Sequence, residues 1–419
     1  MTTEIVILNW NGETFLKRYL PPLLKSVEGL DGVGVTVADN ASEDGSRKLV
    51  ASSFPSVRYI QLKKNYGFAE GYNRALKKLD ADCFLLLNSD VEVADGWLHP
   101  LLEWMELHPE CGICGPKLHQ TDNRDIFEYA GAAGGYIDKY GFPFCRGRVM
   151  KMVEKDDGQY DIPEEVMWVS GAAFMIRREL FNSLGGFCKD FFAHMEEIDL
   201  CWRARLEGWK VNVVPRSTIY HFGGGSLPPD SPYKLFLNYR NNLAMLSRCL
   251  PQTVALDYAF NLIGEITDPD DGPDFFGCCC DEYNRCDDEL KHSLADTAAI
   301  LGLKKADAVI RRRMLIDDLA AVSYLFSGRL KKFLAVVRAH KEFRSTRHKT
   351  TEKQLYRYIQ RVVTGKQLEI ARNLLTDDPL EGNWLSASFG LKCIWSKWVV
   401  LQAVLKKDTI FAYINKTLK

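Results

Sequence analysis

The sequence lacks features that would place the chain in several familiar classes. No window approaches the roughly 20 consecutive apolar residues that a membrane-spanning helix needs. The apolar run near the start, EIVILNW, is far too short for a signal peptide. The 54 lysine and arginine residues nearly balance the 55 aspartate and glutamate residues, so we expect no global attraction to nucleic acid. These absences predict a cytoplasmic protein without a nucleic-acid partner.

Common cofactor and metal fingerprints are also missing. Neither the dinucleotide pattern G-x-G-x-x-G nor a P-loop occurs. The 12 cysteines are scattered, many of them in apolar runs, which favours reduced thiols in a protein core. Cys111 and Cys114 form one C-x-x-C without a second ligand pair, so we interpret them as strand-packing residues. The segment CCCDEYNRC, Cys278 to Cys286, leaves a metal site open as an unsupported alternative.

The first 90 residues alternate between strand and helix patterns. Four apolar runs predict strands: EIVILNW, GVTVADN, VRYIQL and CFLLLN. Helical patterns separate them at residues 13–28, in SEDGSRKLVASSF and in AEGYNRALKKL, and Pro21-Pro22 should break or kink the first helix. The order predicts an α/β fold with an open, mostly parallel, doubly wound sheet that binds ligands at the carboxyl ends of its strands.

Polar residues recur where these predicted strands end. Asp39 ends the second strand, Asn65 follows the third, and Asn88-Ser89-Asp90 ends the fourth. An acceptor at such a position can bind a base or a ribose, and a carboxylate can hold a hard cation. Gly67 and Gly71 leave room for close backbone approach near a helix start, which suits a nucleotide or a phosphate. Turn formation is the alternative for each residue taken singly.

The second half of the chain is less regular. VSGAAFMIRRELFNSLGGF predicts a strand and then a helix, and VNVVPRSTIYHFGGGS predicts a strand pair followed by a Gly-rich loop after His221. Residues 232–419 are predicted to be mostly helical. Basic clusters at 311–313, 328–332 and 338–349 lie beside apolar residues such as Leu325 and Phe326, which favours contact with anionic lipid. A solvated face of a helical bundle is the alternative.

An acidic cluster stands out in FFAHMEEIDLCWRARLEGW, residues 191–209. Carboxylates in a first helical turn are stabilised by the helix dipole, so a solvated helix start is one interpretation. On a helix, Glu196, Asp199 and Arg203 share a face while Glu197 points about 100° away. We therefore expect Asp199 to pair with Arg203 and Glu197 to face a cleft.

Taken together, several segments resemble the inverting family 2 glycosyltransferases, most closely the bacterial rhamnosyltransferase-like branch. The matching segments occur in family order over about residues 3–245: VILNWNG, VADNASEDGS, NYGFAEGYNRAL, LLLNSDVEV, SGAAFMIRRELFNSLGGF, FFAHMEEIDLCWRARLEGW, YHFGGGS and YRNNL. The resemblance implies a GT-A fold, which is Rossmann-like, with a catalytic domain at residues 1–245. Residues 246–419 would form a mostly helical C-terminal extension that associates with a membrane or a partner.

The resemblance also implies an activity. The donor would be a UDP- or dTDP-sugar, with dTDP-rhamnose one candidate, and the cofactor Mg²⁺ or Mn²⁺. The acceptor would be a hydroxyl of a glycan or lipid-linked molecule in cell-surface polysaccharide synthesis, which adds the inner face of the cell membrane as a location. The implied substrate-binding residues are Asn9, Asp39, Asn65, Gly67, Asn73, Asn88 and Arg240. The implied metal ligands are Asp90 and His221.

The catalytic base is assigned with one departure from the family pattern. The family normally has Glu-Asp where this sequence has Glu196-Glu197, and its second acid is the base. Glu197 is the preferred candidate here, and Glu196 is the alternative. A nucleotide-sugar pyrophosphorylase is disfavoured, because NWNGETFLKRY lacks the Gly-rich basic loop expected after the first strand. A non-catalytic relative that binds nucleotide sugars remains open.

Overall fold

The computed structural model describes residues 1–138, 140–149, 152–223, 230–266 and 288–363. Strands are numbered in chain order: β1 (Thr3–Asn9), β2 (Val33–Asp39), β3 (Arg58–Gln61), β4 (Cys83–Asn88), β5 (Val91–Val93), β6 (Cys111–Gln120), β7 (Gly135–Ile137), β8 (Pro143–Cys145), β9 (Arg148–Val149), β10 (Met152–Val153), β11 (Glu164–Glu165), β12 (Ala173–Arg177) and β13 (Lys210–His221). The helices are α1 (Glu13–Ser26), α2 (Ser46–Ser53), α3 (Gly67–Leu76), α4 (Leu98–Leu107), α5 (Arg178–Ser183), α6 (Glu196–Leu206), α7 (Pro232–Ile266), α8 (Asp288–Phe326), α9 (Leu330–Thr346) and α10 (Glu352–Val363).

The main sheet confirms the predicted α/β class. Its strand order is β11-β13-β6-β12-β4-β1-β2-β3, and β5 pairs with β13 at one end. β1 pairs in parallel with β2 and β4, and β2 pairs in parallel with β3. β12 runs antiparallel between β4 and β6, while β6 and β13 are parallel. Most strands therefore share one direction, and β1 lies centrally among the strands that end in the predicted site.

Both faces of this sheet are covered, which explains the nearly continuous apolar runs. In β4, Phe84 and Leu86 join the core on one face, while Leu85 and Leu87 join the core on the other. Successive strand residues point to opposite faces, so an apolar residue is required at every position of a strand buried on both sides.

The first helix departs from the prediction. α1 continues through Pro21 and Pro22, so of the predicted break or kink the break is excluded. Both prolines are exposed. The carbonyls that lose a hydrogen-bond partner therefore lie on the exposed side of the helix, where water can bind them, while Leu16, Leu20 and Leu23 remain buried.

The segment before His221 also differs from the prediction. It forms one long strand, β13, instead of a strand pair. Its pairing with β6 shifts register between Val213 and Thr218, around Pro215. A proline cannot donate to a sheet ladder, so an irregularity absorbs it while the strand continues.

The described C-terminal region is helical, as predicted. α7 begins at Pro232, so the proposed domain boundary at residue 245 falls inside a helix. Met245 and Leu246 of α7 belong to the same core as the sheet residues. The Tyr358 hydroxyl of α10 donates to the Leu206 carbonyl at 2.7 Å, which attaches the last described helix to α6.

The structure bears on the predictions about the cysteines and about membrane-spanning helices. Cys111 and Cys114 are buried, free thiols on β6, in agreement with a packing role. The segment Cys278 to Cys286 lies outside the described residues. In the part of the chain that the structure describes, no helix is both long enough and apolar enough to span a membrane.

Candidate active site

The carboxyl ends of β1 and β2 carry a buried polar cluster. Asn9 and Asp39 are opposite each other in the parallel pairing, and both are almost fully buried. Asn9 Nδ2 donates to Asp39 Oδ1 at 3.0 Å. Ser42 donates its hydroxyl at 2.6 Å and its backbone amide at 2.9 Å, and Gln61 donates at 2.8 Å. Asp39 is therefore fixed in place by four hydrogen bonds.

The loop before α3 extends this cluster along the sheet edge. Asn65 Oδ1 accepts from Asn40 Nδ2 at 3.1 Å and from the Gly67 amide at 2.8 Å. Gly67 has a φ of +75°, which a residue with a Cβ rarely adopts. We call Asn9, Asp39, Asn65 and Gly67 the donor edge.

The donor edge touches the chain just ahead of α6. The Phe68 amide donates to the Phe192 carbonyl at 2.7 Å. A Cβ on Gly67 would lie 2.5 Å from that same carbonyl oxygen. The glycine predicted to permit close backbone approach therefore does so, and the approaching group is the segment that leads to the acidic cluster.

The acidic cluster opens α6, and its two glutamates differ. Glu196 is buried, and within the described residues its Oε2 has no hydrogen-bond partner. Burial, followed by the charge of Glu197, raises the pKa of Glu196 well above its ordinary value. Glu197 is partly exposed. Burial raises the pKa of Glu197 to about 7, although hydrogen bonds from the backbone amides of Glu197 and Ile198 oppose the shift. A carboxyl group titrating near neutrality can accept a proton.

The backbone just before these glutamates is strained. His194 and Met195 have φ values of 72° and 73°, in the left-handed region that side chains disfavour. Asn241 of α7 holds this turn, because its Nδ2 donates to the Ala193 and His194 carbonyls, each at 2.8 Å. We call residues 194–197 the acidic turn.

The third acid of the cluster has the predicted structural role. Asp199 is fully buried, and its Oδ2 accepts from Arg203 Nε at 2.8 Å. Arg248 of α7 adds a second ion pair at 3.0 Å. The prediction that Arg203 engages Asp199 is confirmed. Because Asp199 is paired with Arg203 and Arg248, it is not a candidate base, and Glu197 stays the predicted one.

Asp90 and His221 come together from two segments far apart in sequence. His221 Nε2 lies 3.3 Å from Asp90 Oδ1, and its Nδ1 lies 3.6 Å from Glu128 Oε1. Burial alone lowers the pKa of His221. The hydrogen bonds and charges of Asp90 and Glu128 outweigh that effect and raise the pKa to about 10.

This arrangement can hold a divalent cation if the cation displaces the proton from Nε2 of His221. A carboxylate oxygen and an imidazole nitrogen are ordinary ligands for Mn²⁺, and a carboxylate on the other ring nitrogen is the usual partner of a metal-binding histidine. No three His, Cys, Asp or Glu side chains among the described residues form a complete metal site. A cation held by Asp90 and His221 would therefore need further oxygen ligands from a diphosphate and from water.

Contacts through the end of β4 connect these groups. The Asn88 amide donates to the Ala172 carbonyl at 2.9 Å. A Cβ on the preceding Gly171 would lie 3.5 Å from the Glu197 side chain. In the parallel pairing of β4 with β1, Asn88 is opposite Leu8, and Leu8 is the residue before Asn9. The end of β4 thus lies between the donor edge, Glu197 and Asp90.

Two predicted substrate contacts are occupied by protein groups. Both ends of the buried Asn73 amide bond the backbone of Phe187, each at 2.9 Å. The side chain thus attaches α3 to the loop after α5, and a role for Asn73 in shaping the nucleotide pocket stays a prediction. Arg240 pairs with Glu342 of α9 at 2.8 Å and donates to the Asp190 carbonyl at 3.0 Å. A role for Arg240 towards substrate stays a prediction.

Sequence reasoning missed Asn241 and Glu128. Asn241 stands in the quoted YRNNL segment, but nothing local reveals that its amide reaches a turn 47 residues earlier. Glu128 lies in a stretch without regular hydrophobic spacing, and only the fold brings it to His221. Neither residue could have been selected without the tertiary contact.

A sequence profile described as "Glycosyl transferase family 2" matches residues 4–185, which include the donor edge and Asp90. Residues 4–185 of the chain therefore match glycosyltransferase family 2. The acidic turn and His221 lie beyond the matched span, so their assignment in this glycosyltransferase depends on the geometry above.

Relatives and solved structures resemble the chain at low identity. An N-acetylglucosaminyl-diphospho-decaprenol L-rhamnosyltransferase of Mycobacterium tuberculosis is 26% identical over 259 residues, which cover 58% of this glycosyltransferase and 83% of the relative. Rhamnosyltransferase WbbL of Escherichia coli K12 is 23% identical over 227 residues, covering 52% and 82%. A crystal structure of GalNAc-T7 with UDP, GalNAc and Mn²⁺ superposes with a TM-score of 0.49 at 17% identity, covering 67% of this chain and 54% of that one.

Proposed function

We propose that this glycosyltransferase is metal-dependent and inverting. It transfers a sugar from a UDP- or dTDP-sugar, with dTDP-rhamnose the first candidate, to a hydroxyl of a lipid-linked glycan in cell-surface polysaccharide synthesis. The observation that carries the proposal is Glu197, a carboxyl group with a pKa of about 7 at a helix start beside the end of β4. The activity for which the mycobacterial relative is named supports both the rhamnose and the lipid-linked acceptor.

The chemistry follows from what an acceptor hydroxyl needs. Glu197 accepts the hydroxyl proton while the acceptor oxygen forms a bond to C1 of the donor sugar and the C1–O bond to the diphosphate breaks. Attack from the side opposite the leaving group inverts the configuration at C1. A positioned base of this kind contributes about 10²–10⁴-fold. Asp90 and His221 would hold Mg²⁺ or Mn²⁺, which stabilises the negative charge on the departing diphosphate.

The other residues bind and orient the donor. Asp39 stands at the carboxyl end of β2, where the resemblance implies a contact to the base and ribose, and its four protein hydrogen bonds fix that end of the strand. Asn65 and Gly67 shape the loop at the start of α3, and Asn88 lies between the donor edge and Asp90. Burial and then the charge of Glu197 raise the pKa of Glu196 well above its ordinary value. Glu196 is the alternative base.

A thermal-shift panel tests the donor and the metal together. UDP, dTDP and their sugars are added to the full chain with and without Mn²⁺, and a ligand at 100 times its Kd adds about 2.7 kcal/mol of stability. We expect stabilisation by one nucleotide class that requires Mn²⁺ and is lost in Asp90→Asn. Asp95→Asn is the matched control, because Asp95 is exposed in the segment after β5.

Two outcomes would contradict the proposal. Stabilisation without Mn²⁺ that persists in Asp90→Asn would rule out the metal dependence. Metal-dependent binding without sugar transfer to any lipid-linked or glycan acceptor would favour a non-catalytic relative that only binds nucleotide sugars.

A further inference from the structure

Exposed apolar side chains concentrate on one part of the helical region. At the end of α8, Leu315 is 61% exposed, Leu319 55% and Phe326 87%. The first half of α9 adds Leu330 at 54% and Leu334 at 52%. Single exposed apolar residues are ordinary, but a contiguous set of large ones marks an interaction surface.

The spacing places these side chains on one side of each helix. Along α8 the exposed apolar residues recur every three or four positions: Leu315, Leu319, Val322 and Phe326. Along α9 the same spacing gives Leu330, Leu334 and Val337. In α8 the buried residues Arg313, Asp317 and Ala321 lie on the opposite side. Each helix therefore carries a stripe of apolar side chains on its exposed side.

The two stripes lie side by side. His340 of α9 contacts Asp318 of α8 at 3.0 Å, which joins the helices laterally. Ala335 and Ala339 of α9 pack against α7. Both apolar stripes consequently occupy the side facing away from α7. We call this surface, residues 315–337, the hairpin face.

Positive charge surrounds the hairpin face. Residues 311–346 contain nine lysine and arginine residues but three aspartate and glutamate residues, in a chain of net charge −1. Arg311, Arg312 and Lys331 are exposed beside the stripes. A second copy of the chain would bring two such positive rims together, which is unfavourable, whereas an anionic surface complements them.

We propose that the hairpin face docks on an anionic lipid bilayer. The apolar side chains enter the boundary between headgroups and acyl chains, and the arginine and lysine side chains bind lipid phosphates. Lys332 pairs with Asp230 at 2.7 Å, and Glu342 pairs with Arg240, the neighbour of Asn241. The ion pair between Glu342 and Arg240 thereby connects α9, which carries part of the hairpin face, to the part of α7 that binds the acidic turn through Asn241. The proposal suits a lipid-linked acceptor but does not depend on it.

Vesicle sedimentation of the full chain tests the apolar part of this proposal. We expect binding to vesicles that contain phosphatidylglycerol, weak binding to phosphatidylcholine alone, and weakening by salt. The double variant Leu319→Gln with Phe326→Gln should lose at least about tenfold in partitioning, because two large exposed apolar side chains no longer enter the bilayer. Leu107→Gln is the control, since Leu107 is 68% exposed on α4.

The charged part has its own pair of variants. Arg311→Gln with Lys331→Gln should weaken binding to phosphatidylglycerol vesicles by about fivefold for each charge removed. Lys17→Gln with Lys48→Gln removes the same charge from exposed sites outside the hairpin face and should leave binding unchanged. Equal losses of vesicle binding in both pairs would overturn the proposal, because binding would then depend on the net charge of the protein and not on the position of the charges.

Two further results would show whether the hairpin face binds lipid or a second copy of the chain. Light scattering that shows a dimer dispersed by the Leu319 and Phe326 substitutions would overturn the lipid assignment in favour of a second copy. Absence of binding to phosphatidylglycerol vesicles would overturn it outright. Nucleotide binding by thermal shift is measured in the same variants, so failure of the proposed function and failure of the docking surface are separable.

Discussion

The donor edge and the acidic turn lie against each other, yet they are built in opposite ways. At the donor edge Asp39 accepts four hydrogen bonds, although Oδ1 of the buried Asn9 has no hydrogen-bond partner among the described residues. At the acidic turn the backbone is strained at His194 and Met195, and Glu196 buries an oxygen without a partner among the described residues. The side chains of the donor edge are ordered mainly by hydrogen bonds, whereas the acidic turn has two consecutive strained residues just before its two glutamates.

This difference matches the two tasks. A binding surface gains affinity when its groups are already ordered, because less entropy is lost when the ligand arrives. A general base instead needs a pKa near the working pH, which burial provides only at the expense of stability. The strain persists because Asn241 and the packing around α6 over-determine the turn.

The largest expected effect comes from removing the carboxylate of Glu197, the proposed base. Glu197→Gln should lower transfer by about 10²–10⁴-fold and leave donor binding unchanged, because the amide cannot accept the proton. Initial rates and thermal shifts measure the two quantities. Glu179→Gln on α5 is the control, since Glu179 is exposed. Full activity in Glu197→Gln, with loss in Glu196→Gln, would transfer the role to Glu196.

The pH dependence sharpens this test. Below a pKa of about 7 the wild-type rate should fall about tenfold per pH unit, because Glu197 is then protonated. Stability should change in the opposite sense. A carboxyl pKa raised from 4.5 to about 7 means that the folded state binds the extra proton, so unfolding becomes easier as the pH rises through this window. Glu197→Gln should lack that decline.

A smaller effect is expected from releasing the strained turn. Asn241→Ala removes both hydrogen bonds to the turn, and a misplaced base costs up to about 100-fold in rate. Asn242→Ala is the matched control, because its buried amide donates to Gly141 and not to the acidic turn. Both variants should lose about 1–2 kcal/mol of stability. Only Asn241→Ala should lower kcat more than it raises KM, and equal kinetic losses would make Asn241 merely structural.

The smallest effect is expected where the two regions touch. Gly67→Ala should lose more stability than Gly96→Ala in urea unfolding. Both glycines have positive φ, which costs about 1–2 kcal/mol for alanine, but a Cβ on Gly67 meets the Phe192 carbonyl while one on Gly96 meets nothing within 4 Å. Equal losses would show that the contact between the regions adds nothing.

Several elements could be predicted because their cause is local. The runs in β1 and β4 are apolar throughout, so their strand character and double burial follow from composition. The Asp199–Arg203 pair follows from helical spacing alone. Asp39 and Asn88 could be assigned to one edge, because parallel strands place their carboxyl ends together.

Other features failed because a distant partner decides them. The side-chain amide of Asn73 donates to the Phe187 carbonyl, 114 residues away, a contact that the sequence around Asn73 does not reveal. The prolines of α1 are tolerated because they face outwards, a matter of orientation in the fold. Pro215 is absorbed by a register shift that only the pairing with β6 reveals.

By itself, the sequence determined the α/β alternation, the sheet edge that carries the donor residues and the candidate acids, because hydrophobic periodicity and strand direction are local properties. Only the tertiary structure decided that Glu197 and Glu196 have different environments, that Asn241 and Glu128 support the site, and that the apolar stripes of α8 and α9 form one surface. Burial, long-range hydrogen bonds and shared faces arise from segments far apart in the chain, and no local pattern encodes them.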